Sequence, residues 1–193
     1  MKKSAQFSPC KTYRYCLTRQ WDQNLPFVNF IGLNPSIANA SVDDPTIKKC
    51  IGYAKAWGYG GLIMTNLFAF VSSDPECLFQ YQGDKIGPDN DKYLKKGYGA
   101  AEKTIAAWGN RGTYNCRAQK VRSFLGDLYC LKMNTTGQPC HPLYQPKNML
   151  PIKLVEGEMI SFWDWLLFLL LVALVVWLGV WMLDMLPVPV PWQ

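Results

Sequence analysis

The 193-residue sequence has one histidine, no C-x-x-C pair, and no lysine or arginine after Lys153. Its seven cysteines are scattered, and their odd number argues against a complete internal disulfide framework, so we expect reduced thiols. Neither the cysteines nor the histidine have the spacing of a metal site, and we predict no metal and no cofactor. The basic start of the chain is not followed by an apolar stretch, which predicts that it carries no secretory signal peptide.

A long apolar run lies near the C-terminus. Residues 165–183 are nineteen positions without a charged side chain, and a helix of this length spans about 28 Å, close to the ~30 Å hydrocarbon core of a bilayer. The run predicts a transmembrane helix over 164–186, after a linker at 151–163 and before a short proline-rich tail at 187–193; the alternative is a buried core helix. Because basic residues precede the run and none follows it, we predict a single-pass membrane protein with a cytoplasmic N-terminal domain and the lipid bilayer as a partner.

Positive charge is concentrated before this run. Residues 1–153 carry twenty basic and ten acidic side chains, an excess that favours an anionic partner, either nucleic acid or a nucleotide, or the inner face of a membrane. Basic residues between 92 and 122 are interleaved with tyrosines. They form either a phosphate-binding face, an ordinary solvated helix face or a surface attracted to anionic lipid. The oligomeric state is not predicted.

Strand-like and helix-like patterns alternate along residues 1–150, which we expect to form one domain. The pattern predicts strands at 13–21, 27–33, 61–70, 104–108 and 127–133, and helices at 46–59, 91–103 and 115–125. This alternation predicts an α/β fold, a three-layer α/β/α sandwich with a mainly parallel sheet. The segment 71–90 between two of these elements is long enough to be a lid or a binding loop.

Polar residues follow several predicted strands, at the end of the sheet where open α/β folds bind their ligands. Asn34 lies in the GLNPS segment after one strand, and Asn66 lies inside the next. His141, the only histidine, lies in the loop beyond the last strand. An unpaired buried amide costs about 1–3 kcal/mol, so Asn66 needs partners from the protein or from a ligand. Together these residues predict a binding site at this edge of the sheet.

Each of these residues also has a structural interpretation, which the sequence leaves open. His141 precedes a proline and is either structural or catalytic. Asn34 followed by Pro35 is typical of a turn. Asp43 and Asp44 precede a helix pattern, and they are either helix caps or carboxylates of the site.

Four runs of residues carry a family resemblance, and they occur in the order NFIGLNPSIANASVDDPT, GYGGLIMTNLFAF, AAWG and HPLY. In this order they resemble the uncharacterised bacterial and phage family known as domain of unknown function 1643 (DUF1643), over roughly residues 13–150. The resemblance implies a shared fold and brings no established activity.

The same motifs are similar to those of the uracil-DNA glycosylase superfamily. That superfamily has, in this chain order, a G-x-[D/N]-P motif that holds the attacking water, a strand ending in a base-reading Asn, a strand ending in W-G, and a late H-P-S-P-like loop. The resemblance implies two catalytic residues, with Asn34 positioning the water and His141 stabilising the departing base. It implies that the substrate is bound by Gly32, Leu33, Pro35, Ser36, Asn66, Phe68, Trp108 and Tyr144.

Some details of this resemblance stay open. Phe70 is the alternative to Phe68 for stacking on a flipped base. Ser36 and Leu143 depart from the glycosylase pattern, at the positions that exclude normal pyrimidines and that contact DNA phosphate respectively.

Together these observations predict a membrane-anchored N-glycosidase, a hydrolase that acts on or recognises a modified pyrimidine in DNA or in a nucleotide. A DNA-binding enzyme at the membrane would suit a phage or anti-phage setting, where DNA enters or leaves the cell. The sequence leaves two alternatives: an inactive module that binds nucleic acid or nucleotide, and a membrane-tethered interaction protein.

Overall fold

The computed structural model describes residues 1–36, 38–155, 166–173 and 175. The chain divides into two compact units, Met1–Leu154 and Val155–Gln193. In the described part of the first unit the strands are β1 (Lys2–Phe7), β2 (Arg14–Gln20), β3 (Phe27–Gly32), β4 (Gly61–Asn66), β5 (Lys103–Ala106), β6 (Tyr129–Cys130) and β7 (Ile152–Lys153). The α-helices are α1 (Pro45–Ala56), α2 (Pro75–Gln80), α3 (Asn90–Ala100) and α4 (Arg117–Phe124), with 3-10 segments at Asn110–Cys116 and Pro142–Tyr144.

The strands form one mixed sheet in the order β1-β2-β4-β3-β5-β6-β7. The four central strands β4, β3, β5 and β6 run parallel to one another, whereas β1, β2 and β7 pair antiparallel at the two edges. The predicted fold, a mainly parallel sheet followed by a transmembrane helix, is therefore wrong, because half of the strand pairings are antiparallel. The structure is a mixed α/β fold with a seven-stranded sheet.

The antiparallel direction of β2 has a simple cause. Only residues 21–26 connect β2 to β3, and a crossover between parallel strands needs about a dozen residues or more. The chain consequently reverses, and β2 and β3 lie on opposite sides of β4 in opposite directions. The strands β1 and β7 were not predicted, because β1 is a polar and mostly exposed edge strand and β7 has two residues.

The central strands are buried on both faces. Phe30 and Ile105 belong to a hydrophobic cluster that includes the buried residues of α1, whereas their neighbours Ile31 and Ala106 belong to a second cluster that includes residues of α3 and α4. Successive residues of a strand point to opposite faces, so α1 packs on one face of the sheet while α3 and α4 pack on the other. These helices lie close to the positions predicted from the sequence.

The predicted membrane localisation is corrected by the structure. Residues 166–173 and 175 are helical. Among the residues that the structure describes, no helix is long and apolar enough to span a membrane. The other positions of the predicted span 164–186, most of the linker at 151–163 and the tail at 187–193 lie outside the described residues.

A buried ion pair holds the segment that leads into α1. The Arg19 side chain is fully buried, and its Nε donates to Asp43 Oδ1 over 2.6 Å. The same guanidinium donates to the backbone oxygens of Asn39 and Val42. Burial acts to raise the pKa of Asp43, but hydrogen bonds from Lys3 and Arg19 outweigh it and hold the pKa below its ordinary value near 3.8.

We predict that Asp43→Asn lowers the free energy of unfolding by about 1–3 kcal/mol, because it leaves the buried Arg19 without its counter-charge. The lowered pKa means that the carboxylate stabilises the folded protein above pH 3.8, and that this contribution is lost as the pH falls through the folded pKa. Urea denaturation between pH 3 and 7 measures both effects.

The matched control is Asp127→Asn, which removes the exposed Lys153–Asp127 pair. An exposed pair contributes little, so this change is expected to stay within about 0.5 kcal/mol. Equal effects of the two substitutions would contradict the anchoring role of Asp43.

Candidate functional site

A cavity of about 260 Å³ lies at the carboxyl ends of β3, β4 and β5, next to the start of α1. Its walls come from seven separate segments of the chain, and the loop that carries the only histidine closes one side. The lining residues are Arg14, Gly32, Leu33, Asn34, Ser36, Asp44, Thr46, Ile47, Met64, Asn66, Ser72, Ser73, Ala107, Trp108, His141, Pro142, Leu143 and Tyr144.

Most of the residues singled out from the sequence meet in this cavity. Those that line it are Gly32, Leu33, Asn34, Ser36, Asn66, Trp108, His141 and Tyr144. Pro35 is buried and is not part of the lining. Phe68 is buried in the second hydrophobic cluster and packs against Tyr114, and Phe70 stacks on Tyr81. The structure therefore does not bring either phenylalanine to the cavity.

The parallel pairing of β3 with β4 places Gly32 directly beside Asn66. A Cβ atom on Gly32 would lie 2.7 Å from Asn66 Oδ1, so the amide fits only because this position has no side chain. Asn66 is 2% exposed, and its Nδ2 has no hydrogen-bond partner in the described protein. A buried, unpaired amide donor that lines a cavity is poised to donate to a ligand oxygen.

Hydrogen bonds determine which end of the Asn34 amide is available. Asn34 Nδ2 donates to the backbone oxygens of Pro35, over 3.2 Å, and Ser72, over 2.9 Å. Both partners are carbonyl oxygens, which can only accept, so the amide atom that faces them is the Nδ2 donor and not Oδ1. These two bonds use both amide protons, so Oδ1 remains as an acceptor for another group in the cavity.

The protonation of His141 follows from its neighbours. Its Nδ1 accepts a hydrogen bond of 3.3 Å from the backbone N–H of Leu143, so in the neutral ring the proton is on Nε2. Burial lowers the pKa of His141 below 6.5, against an opposing effect of the Asp44 carboxylate. At neutral pH the ring is therefore uncharged, with Nε2–H as a hydrogen-bond donor.

Trp108 forms a rigid wall of the cavity. Its indole Nε1–H donates to Gln138 Oε1 over 3.0 Å, and the backbone of Gly112 packs directly against the ring. The opposite character is found at Tyr144, which is 80% exposed and contacts the His141 ring with 5.7 Å between the ring centroids. The buried indole provides an apolar surface, and Tyr144 provides an aromatic ring that solvent reaches.

Sequence reasoning missed Arg14, Thr46, Ser72 and Ser73, all of which line the cavity. The two serines come from the segment 71–90, which the sequence predicted as a lid or binding loop. Asp44 caps α1 by accepting from the Ile47 N–H over 2.8 Å, and it also lines the cavity. The sequence left open whether Asp44 is a helix cap or a carboxylate of the site, and its position is consistent with both.

Part of the basic run between 92 and 122 is engaged within the protein. Arg117 is buried, donates to the Leu67 backbone oxygen and pairs with Asp91. Lys103 lies over the Tyr129 ring. Among the described residues no group of three His, Cys, Asp or Glu side chains is arranged to hold a metal ion.

A family model described as "Protein of unknown function (DUF1643)" matches residues 14–143. The matched region extends from the start of β2 to the His141 loop and contains nearly all of the cavity lining. It confirms the family resemblance read from the sequence. No curated protein and no solved structure matches the chain.

We predict that Gly32→Ala destabilises the protein by about 1–3 kcal/mol, because the added methyl group must displace the Asn66 amide. Gly52→Ala is the matched control, since a Cβ there meets nothing within 4 Å and the position is an exposed turn of α1. That change is expected to stabilise by about 0.5–1 kcal/mol. Urea denaturation measures both, and a neutral Gly32→Ala would disprove the close contact.

Because the chain has one histidine, its ring can be titrated by NMR without assignment. We expect a midpoint below 6.5 and, at neutral pH, nitrogen shifts of the Nε2–H tautomer. In Asp44→Asn the midpoint should fall further, because the nearby negative charge is removed while asparagine still caps the helix. A midpoint above 6.5, or an Nδ1–H tautomer, would refute this assignment.

Proposed function

The chain belongs to the DUF1643 family of proteins of unknown function, and we propose that this member hydrolyses the N-glycosidic bond of a pyrimidine in DNA or in a nucleotide. One observation carries the proposal: an acceptor, Asn34 Oδ1, and a neutral donor, His141 Nε2–H, belong to the same cavity. These are the two polar groups that such a hydrolysis requires.

The reaction builds positive charge on the sugar and negative charge on the base. Water attacks the anomeric carbon, the carbon–nitrogen bond breaks, and the bonding electron pair leaves with the base. Asn34 Oδ1 accepts a hydrogen bond from the attacking water and orients it. The water proton passes to solvent or to the released base, so that a sugar hydroxyl and a free base are formed.

His141 acts where the negative charge accumulates. A neutral Nε2–H donor aimed at a carbonyl oxygen of the base stabilises the departing anion, in the way that an oxyanion hole stabilises developing charge. Burial keeps the ring uncharged at neutral pH, as its lowered pKa indicates. The neutral ring already carries the Nε2 proton, so it can donate a hydrogen bond without first taking up a proton from solvent.

Asn66 supplies recognition of the base in this proposal. Its unpartnered Nδ2 matches a carbonyl oxygen on a pyrimidine, and binding would remove the cost of an unpaired buried donor. Trp108 and Met64 line the cavity beside it and provide apolar contact for the ring of the base. A base without an acceptor at this position would leave the amide unpaired and would bind less well.

The test uses the full chain with single- and double-stranded oligonucleotides carrying uracil, thymine mismatches or modified pyrimidines, and the corresponding free nucleotides. Base release is measured directly, and alkaline cleavage reports abasic sites in the oligonucleotides. We expect His141→Ala and Asn34→Ala each to lower kcat about 100-fold or more. The matched control is Asn148→Ala, which removes an exposed amide from the segment that follows His141 and should leave kcat unchanged.

Full activity in both cavity variants would refute the assigned roles. Binding of a pyrimidine ligand without release of base from any substrate, by the folded wild-type protein, would refute hydrolysis and favour the alternative of a nucleotide-binding module.

A further inference from the structure

Arg14 differs from the other two fully buried arginines of the described chain. Arg19 pairs with Asp43, and Arg117 pairs with Asp91. Arg14 is 2% exposed and lines the cavity, yet among the described residues it has no carboxylate within ion-pair distance. Its guanidinium donates to the backbone oxygen of Ala38, and its buried Nε has no hydrogen-bond partner among the residues that the structure describes.

A bulge in β2 directs Arg14 to this position. Cys16 pairs with Gln6 but Arg14 pairs with Phe7, so Tyr15 is an extra residue in the strand. Leu17 packs in the cluster with α1, and regular alternation would place Tyr15 on the same face. Instead Tyr15 stacks on Tyr93 of α3, on the opposite face, with 5.0 Å between ring centroids. The bulge therefore turns Arg14 back toward the cavity, a typical use of this irregularity near functional sites.

The charge of Arg14 is retained in spite of its burial. Burial lowers the pKa of Arg14 to about 10, with Asp44 opposing this effect, so the side chain is cationic at neutral pH. Asp44 is the acidic residue of the cavity lining, and its Oδ1 is already engaged as the cap of α1. A buried cation without a paired anion is costly, and a negatively charged ligand would provide the missing partner.

The remaining polar groups of the lining suit a tetrahedral oxyanion. Ser36, Thr46 and Ser73, which each carry a hydroxyl group, line the same cavity. Thr46 lies in the first turn of α1, where the helix dipole favours negative charge. The volume of about 260 Å³ lies just below the ~300 Å³ at which ligand cavities typically start. A cavity of this size admits a small ligand and excludes a long nucleic-acid segment.

We propose that Arg14 binds the terminal phosphate of a free pyrimidine nucleoside monophosphate inside this cavity. The inference rests on the proposed function and names its substrate class. A phosphate within a DNA strand continues into the chain on both sides and stays near the surface, whereas a terminal phosphate can be enclosed. Because Arg14 is almost fully buried, the terminal phosphate is the one that it can reach.

The experiment compares binding of deoxyuridine and deoxythymidine with binding of their 5′-monophosphates, by calorimetry on the full chain. In the wild-type protein we expect each monophosphate to bind about tenfold or more tightly than its nucleoside, and inorganic phosphate to compete. Arg14→Gln should remove this preference, so that nucleoside and monophosphate bind equally, and Arg14→Lys should restore part of the preference. Arg111→Gln removes the same charge from an exposed pair outside the cavity, and it should change neither affinity.

The wild-type comparison decides the question even if Arg14→Gln does not fold. Equal affinity for nucleoside and monophosphate would overturn the phosphate site, while base release from oligonucleotides would still support the hydrolysis. Conversely, failure to release base from any substrate would refute the hydrolysis. If inorganic phosphate then raised the Tm of the wild type and not that of Arg14→Gln, the result would still support Arg14 as the anion-binding residue. Base release from oligonucleotides alone, without binding of free monophosphates, would overturn the proposed substrate class.

Discussion

The cavity depends on the parallel pairing of β3 with β4. Their register aligns Gly32 with Asn66, and the ladder continues past the strands through bonds of 2.9 Å from the Leu67 and Phe68 amides to the carbonyls of Gly32 and Leu33. This extension holds the GLNPS segment against the end of β4. A shift of one residue would send the Asn66 side chain to the opposite face of the sheet, and a side chain at position 32 would occupy the space of its amide.

The segment between β3 and α1 is held from the other side by arginines of β2. Arg19 binds its backbone and Asp43, and Arg14 binds the carbonyl of Ala38. The segment then enters α1 through Asp44, which caps the helix and lines the cavity. The antiparallel strand β2 therefore anchors the loop that forms part of the site. Its two arginines differ in how many of their N–H groups are bonded to the protein. Arg19 is satisfied by the protein, whereas the buried Nε of Arg14 has no hydrogen-bond partner in the described part of the chain.

The sequence predicts the central strands and the polar residues at their ends, because buried strands are apolar runs and a polar residue such as Asn66 stands out in them. It does not predict strand direction, which depends on the short connection at 21–26, or polar edge strands such as β1. Arg14 was missed for a physical reason, since alternation along β2 places it on the wrong face until the bulge at Tyr15 is known. Phe68 was misplaced because the apolar pattern cannot distinguish a core aromatic from one that faces a ligand. Hydropathy alone predicted a membrane span from the apolar run at 165–183, whereas no helix in the described part of the chain is long and apolar enough to span a membrane.

The proposed reaction assigns different energetic tasks to the cation and to the neutral ring. The Arg14 charge attracts a phosphate equally before and during bond cleavage, so it contributes uniform binding and acts on KM more than on kcat. The His141 donor gains strength only as negative charge develops on the base, so it acts on kcat. A protonated histidine would attract the phosphate as well and would compete with Arg14 for it. Burial of His141 keeps the two tasks separate, because it favours the uncharged ring in a cavity that already contains one cation.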